Sequence, residues 1–387
     1  MSRRRAVPLA LALSLVLAGC STLSDGLDAI NPFSSSGPKI PPLKPFTPKA
    51  DAQLRWTAPV GKAGDAIFAP ALVGKAIYAA AQDGTVNKFE DGKLVWKIQA
   101  GQALSAGVGA NEKWVAVGTP KGEVLVFAAG DGKLLWSARA SSEILAAPAV
   151  SEDGIAVRSG DNRVFLFDAQ TGQRKWVYQR ATPALSVRNV AAPVFAERYL
   201  FVGFPGGKLV ALGLQNGAPV WEGPVALPKG ATELDRVADI VTPPAIDGRQ
   251  VCSVAFQGRV ACFDLGQSGA LIWSRDISSA NGLVLDGRYL FLTDDKGAVH
   301  AFDRLSGSSL WKQTELAGRR LSGPAVGRGV VVVADVEGMV HLLSREDGSV
   351  VARLKTDGSP VRTPVLSLGS EFVVQTTAGQ LSLIEKQ

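Results

Sequence analysis

A chain of 387 residues with 42 glycines, 22 prolines and 46% hydrophobic residues can bury a large core. It has too many turn formers for long helices, which points to an all-β fold of many short strands. The formal charge of +6 falls to +3 without Arg3, Arg4 and Arg5, and no basic stripe interleaved with aromatics follows, so the expectation is no nucleic-acid partner.

Residues 1–19 read as a secretory signal: three arginines, an apolar run from about Ala6 to Ala18, then small residues. The run is shorter than the roughly 20 apolar residues that a membrane span needs. Leu17-Ala18-Gly19-Cys20 resembles the bacterial lipobox, which implies lipidation at Cys20; Ser21 rather than Asp after it implies transfer to the outer membrane. Residues 20–50 are rich in Ser, Gly and Pro, with prolines at 32, 38, 41, 42, 45 and 48, and no apolar periodicity appears. Such a segment buries too little to order itself and reads as a lipidated flexible tether.

From Asp51 to Gln387 the chain repeats. Residues 167–176, FDAQTGQRKW, place a glycine four residues before a tryptophan, and the same spacing recurs at Gly92/Trp96, Gly132/Trp136, Gly217/Trp221, Gly269/Trp273 and Gly307/Trp311. Counting Trp56 and the variant Ala352, the unit ends at 56, 96, 136, 176, 221, 273, 311 and 352, a period near 40. That period signals a repeat architecture. Most units open with a small residue and a proline, as at Ala69-Pro70, Ala147-Pro148 and Thr363-Pro364, a place where the missing N–H breaks no ladder. A second apolar strand follows, then a hairpin at Gly84, Gly122, Gly207, Gly258, Gly297, Gly338 or Gly379, with Asn162 in the remaining unit. These residue types accept positive φ. A third strand alternates, as in RVFLFD, and a fourth ends on the tryptophan. Four antiparallel strands in about 40 residues suit a propeller blade. After Ala352 only three strands remain, so Gln53-Leu54-Arg55-Trp56 is expected to supply the missing one. The prediction is an eight-bladed β-propeller whose last blade is closed by the N-terminal strand.

The motif Asp168-x-x-Thr171-Gly172-x-x-x-Trp176, repeated at Asp303-x-x-Ser306-Gly307-x-x-x-Trp311, resembles the repeat of pyrroloquinoline-quinone dehydrogenases. With its lipobox, proline-rich segment, eight repeats and the segment ELDRVAD at 233–239, the whole chain is similar to the BamB family, lipoproteins of the outer-membrane β-barrel assembly machinery. The resemblance implies a periplasm-facing scaffold that binds the POTRA domains of BamA within the Bam complex. It leaves open whether nascent outer-membrane proteins are also touched.

Two connections between blades are long, from Trp176 to Pro193 and from Trp221 to Pro243. Occupying the same connection in successive blades, they should stand side by side on one rim, and long loops on a rigid scaffold are where binding surfaces lie. Leu185, Val187, Arg188 and Asp239, with Asp235 and Arg236 beside them, are the partner-binding residues that the resemblance implies. The family's second loop carries another acid where Val241 stands, which weakens the case for an Arg-acid contact there. A plainer alternative pairs Arg188 with Asp235 at the surface.

No catalytic residues, cofactor or metal are expected. The dehydrogenases of this repeat carry a calcium site of Glu, Asn and Asp and a bridge between adjacent cysteines, whereas Cys20, Cys252 and Cys262 are not adjacent. His300 and His341 occupy equivalent third-strand positions one unit apart, which suits strand-face residues better than a metal pair. A propeller that binds glycan or unfolded polypeptide directly, or a degenerate quinoprotein, is the competing reading. Cys252 and Cys262 flank the hairpin at Gln257-Gly258 on neighbouring strands, and an oxidising periplasm allows a bridge there. A one-residue register shift would instead aim one thiol away.

Overall fold

The second strand of each repeat is mostly apolar, and Ala76–Ala80, Trp114–Gly118 and Val330–Ala334 are unbroken apolar runs buried along their whole length. A strand with both faces buried has neighbours packed on each side, which is what stacked blades provide. The third strands follow suit: Val164–Phe167 is buried throughout, so the alternation expected there gives way to two-sided packing.

The computed structural model describes residues 39–181, 183–188 and 191–386; the signal segment, Cys20 and most of the expected tether lie outside them. Among the described residues from Pro42 onward, 32 strands form eight four-stranded antiparallel sheets, the blades of a β-propeller. Blades 1 to 7 follow chain order. In blade 8, strands Leu366–Leu368, Glu371–Gln375 and Gln380–Lys386 are completed by Ala52–Pro59, which pairs with Gln380–Lys386. Closure by the N-terminal strand is as expected. The end of the segment read as a tether is seated on the ring. Leu43 and Phe46 pack against the cluster of Tyr289, Phe291 and Trp311. Lys49 N donates to Val351 O at 2.9 Å, covering part of an otherwise open outer strand.

Blade is joined to blade through the tryptophans. The indole N–H of Trp96, Trp136, Trp176, Trp273 and Trp311 donates to the carbonyls of Ala129, Ala169, Leu214, Arg304 and Arg345 at 2.8–3.2 Å. Each acceptor sits three residues before the turn glycine of the next blade. The ring lies on that glycine: a Cβ built on Gly172 would meet Trp136 Cε3 at 2.6 Å. With a φ of 72° as well, the position requires glycine twice over.

The hairpin residues follow the expectation with one exception. Asn162 takes a φ of 64°, but in blade 5 the left-handed residue is Gln257, at 50°, and not Gly258. Gly258 answers to crowding instead, since a Cβ there would lie 2.7 Å from Ala226 Cβ. In the same hairpin Cys252 stands directly opposite Cys262. Their Cα atoms are 4.1 Å apart and their Sγ atoms are bonded, as suits a directly opposed pair.

His300 and His341 do occupy matching places, and each is paired within its own blade. His300 Nε2 lies 2.9 Å from Asp294 and His341 Nε2 lies 3.0 Å from Asp335. His341 Nδ1 accepts from Arg353 Nε at 3.1 Å, which requires a neutral ring that donates from Nε2. Arg353 in turn lies over the Phe46 ring and donates to Lys44 O, so the neutral histidine helps to hold the seated segment.

Two predictions follow from these contacts. Replacing Cys252 and Cys262 by alanine should lower stability by about 2–4 kcal/mol, read as a shifted denaturation midpoint, while protein from an oxidising compartment should show both thiols blocked to alkylation. Burial pulls the pKa of both histidines below 6.5, only partly offset by their aspartates. Their stabilisation is therefore fully present above about pH 6.5 and is lost as pH falls through the lower folded values. Melting temperature should drop between pH 7.5 and 5, and drop less in the double variant His300→Gln/His341→Gln.

Candidate functional site

Strand direction alternates within each blade, so the connections between blades and the hairpins after the second strands share one face of the ring. The turns after the first and third strands share the other. Both inserted loops, residues 179–193 and 225–244, are connections between blades and so stand on one face, in successive blades, as their lengths predicted.

Asp239 ties this face together. It is wholly buried; one carboxylate oxygen accepts from Val187 N at 2.7 Å and the other from Gly206 N at 3.0 Å. Its backbone also pairs with Phe256, donating to Phe256 O and accepting from Phe256 N. A single side chain on the second loop thus joins the first loop and the hairpin of blade 4, while its backbone joins that of blade 5. The expectation that Asp239 meets a partner directly is corrected here: a carboxylate with no exposure and two short backbone donors positions the loops and does not present itself at the surface.

Beneath it lies Arg158, at the end of the strand Gly154–Arg158 and nearly as buried. Arg158 donates to Gly203 O and to Asn162 Oδ1 and lies over the Phe204 ring, 5.1 Å from its centre. Burial pulls its pKa down to about 9 against the opposing charge of Asp239, which leaves it protonated at neutral pH. Sequence reasoning missed Arg158, although a signal was present: GIAVR ends an apolar strand on a charge where the neighbouring repeats end on Gly118 and Phe204.

The other expected residues are distributed differently from one another. Leu185 is half exposed and Val187 partly buried. Arg188 is 69% exposed and forms a two-pronged contact with Glu143, on the connection between blades 2 and 3, at 2.7 and 3.3 Å. The alternative pairing of Arg188 with Asp235 does not occur. Asp235 instead closes a local turn, accepting from Thr232 N at 3.1 Å while its own N–H donates to Thr232 Oγ1. Hydrogen bonding to its carboxyl from the Thr232 hydroxyl and N–H holds the group below the usual range. Arg236 pairs with Glu233 at 3.0 Å and donates to Gly230 O. The turn so stabilised lifts Leu234 to 68% exposure, and Leu227 on the same loop is 54% exposed. Neither leucine was singled out from sequence, since an apolar residue in a loop is as often buried, as Val237 and Ile240 are here. The face therefore offers apolar side chains on loops that are internally braced, with one well-placed guanidinium among them, an arrangement suited to protein contact.

The sequence profile described as "Outer membrane protein assembly factor BamB" matches residues 82–313 and 295–387. Proteins of that name are similar along nearly their whole length. The one from Pseudomonas aeruginosa is 44% identical, with 96% of each chain covered. That from Bordetella pertussis is 42% identical, covering 96% of this chain and 94% of its own. The Escherichia coli K12 protein is 32% identical over 99% of both. Among solved structures, BamB from Moraxella catarrhalis superposes with a TM-score of 0.81 at 25% identity, covering 87% of this chain and all of the other. The quinohemoprotein alcohol dehydrogenase of Comamonas testosteroni, at a TM-score of 0.70 and 13% identity over 87% of this chain and 76% of its own, shares the fold alone. With a profile match over most of its length and relatives above 40% identity, the chain belongs to the BamB family of outer membrane protein assembly factors.

Proposed function

We propose that this protein is a non-catalytic scaffold of the outer-membrane protein assembly machinery, anchored through a lipid on Cys20 and facing the periplasm. Its loop face, on this reading, binds the POTRA domains of BamA. The observation that carries the reading is the pair of inserted loops, locked to one another by Asp239 and presenting Leu185 and Arg188 on one and Leu227 and Leu234 on the other. Pre-ordering of this kind lowers the entropy lost on association. Leu185 and Leu234 supply the apolar centre that a polar rim surrounds in stable interfaces, and Arg188 supplies direction. Support for a scaffold over an enzyme comes from the relatives, which are named as assembly factors.

Leu185→Asp and Arg188→Glu should each abolish or strongly weaken co-purification with BamA from solubilised outer membranes while leaving the thermal melt almost unchanged. An exposed ion pair such as Arg188 with Glu143 contributes about 0–1 kcal/mol to folding, whereas a desolvated interfacial charge that loses its partner costs about 2–5 kcal/mol. Undiminished co-purification by both variants would move the interface off these loops. Asp239→Ala should behave differently, weakening binding and stability together. It leaves the N–H groups of Val187 and Gly206 without their acceptor, at about 1–3 kcal/mol for each buried group, and removes the charge facing Arg158. A thermal melt beside the same co-purification separates the two classes of variant.

A further inference from the structure

Trp221 departs from the contact that Trp96, Trp136, Trp176, Trp273 and Trp311 make. The turn that receives it runs from Asp264 to Gly269, one residue longer than the matching turn from Asp303 to Gly307. The extra residue is taken up by a short 3-10 turn, Leu265–Gln267, and by Ser268 at a φ of 56°. The indole has turned over in response. On Gly172, Gly217, Gly307 and Gly348 a built Cβ would first meet the benzene side of the preceding tryptophan, but on Gly269 it would first meet Trp221 Nε1, at 1.8 Å. Among the described residues no carbonyl accepts from this N–H, unlike those of Trp176 and Trp273 on either side.

Where the regular contact would have closed the seam, a cavity of about 500 Å³ remains between blades 4 and 5, lined by Tyr199, Phe201 and Trp221 on one side and Ile246, Arg249 and Leu265 on the other. Its volume falls within the range of small-ligand sites, and an aromatic wall with a few polar groups is their usual make-up. The Arg249 side chain lies flat along Gly266, where a built Cβ would meet its Nε at 1.9 Å. It is 69% exposed and reaches Asp264 only at 3.3–3.4 Å. Glu197 also stands at the opening, so a ligand carrying more than one negative charge is disfavoured there. The turns that frame the cavity follow first and third strands, so it lies on the face opposite the inserted loops.

We infer that this seam is a binding site for a planar aromatic ligand bearing one anionic group, its flat body against Tyr199, Phe201 and Trp221 and its acceptor atoms on Trp221 Nε1–H and Arg249. The aromatic walls supply stacking and burial, and a guanidinium with a free indole N–H supplies the two donors that a carboxylate or sulfonate uses. The site is independent of the loop face, and both can be occupied at once.

The test is a fluorescence titration of the full chain with 1-anilinonaphthalene-8-sulfonate as the anionic probe and thioflavin T as a cationic aromatic control. Saturable binding of the anilinonaphthalene at one site is expected, weakened about tenfold by Trp221→Phe and by Arg249→Gln, the scale of one lost charge-assisted hydrogen bond. Trp273→Phe, whose N–H is already used by Arg304, should bind as the wild type does. Arg249 is exposed, so its variant keeps the test valid even where the tryptophan change perturbs folding. Absence of saturable binding, wild-type affinity in both seam variants, or equal affinity for thioflavin T would each overturn the assignment.

Discussion

The ring depends on one contact made again and again: an indole laid on the glycine of the next blade's turn, with its N–H on the carbonyl three residues earlier. The contact combines burial of a large aromatic with satisfaction of its single donor, and the ring can approach so closely only because the turn residue has no Cβ. Turn length is its hidden variable. Where the turn has the usual number of residues, the carbonyl meets the N–H. Where it is shorter, as at Asp91-Gly92 ahead of Trp96, Trp56 Nε1 is left buried without an acceptor. Where it is longer, Trp221 turns over and the seam opens. A repeat can thus keep its spacing from glycine to tryptophan in six blades and still vary what lies between blades.

Closure raises a second constraint. A propeller made of seven complete blades and three further strands would leave Gln380–Lys386 exposed as an edge. Ala52–Pro59 covers it, and the segment just before that strand continues across to blade 7 through Lys49 and Val351. Arg353, gripping both Phe46 and the neutral His341, links that segment to a buried cluster in which Asp335 also takes Arg319 at 2.7 Å. The N-terminal end of the ring is therefore fastened by three different kinds of interaction: strand pairing, apolar packing by Leu43 and Phe46, and a charged network.

Most of the fold was legible because the repeat states its own strand order: a proline before the first strand, a glycine or asparagine between second and third, a glycine four residues before the tryptophan. What escaped was whatever depends on contacts between distant parts of the chain. Asp239 looks like a surface acid when read within ELDRVAD, and nothing in that segment announces that its acceptors will be filled by Val187 and Gly206 from another blade. Arg188 likewise finds Glu143, from an unremarked short connection, in place of Asp235. Gly258 was correctly marked as a position needing glycine, but for the wrong reason, since crowding against Ala226 and not its own backbone angle imposes it. The exposed leucines 227 and 234 were illegible for a related reason: exposure is set by the fold of the whole loop, and Leu234 is lifted by bonds among Gly230, Thr232, Glu233, Asp235 and Arg236.

The two faces of the ring consequently obtain their chemistry in different ways. On the loop face, extra residues are inserted between blades, where no repeated contact is at stake, and a buried carboxylate then restores the order that long loops would otherwise lack. A neutral residue in place of Asp239 would leave Arg158 buried against no counter-charge, which is the costly half of such a pair. One carboxylate thus holds loops and hairpin by hydrogen bonds and supplies the opposing charge for a guanidinium that is itself held by Gly203 and Asn162. On the opposite face there is no room for insertion without disturbing the tryptophan contact, so a single added residue, as in blade 5, converts a structural seam into a cavity. Variation between blades is thus free and additive on one face but coupled to the core on the other, and the second kind is the more informative when it persists, because the ring has given up an inter-blade hydrogen bond to keep it.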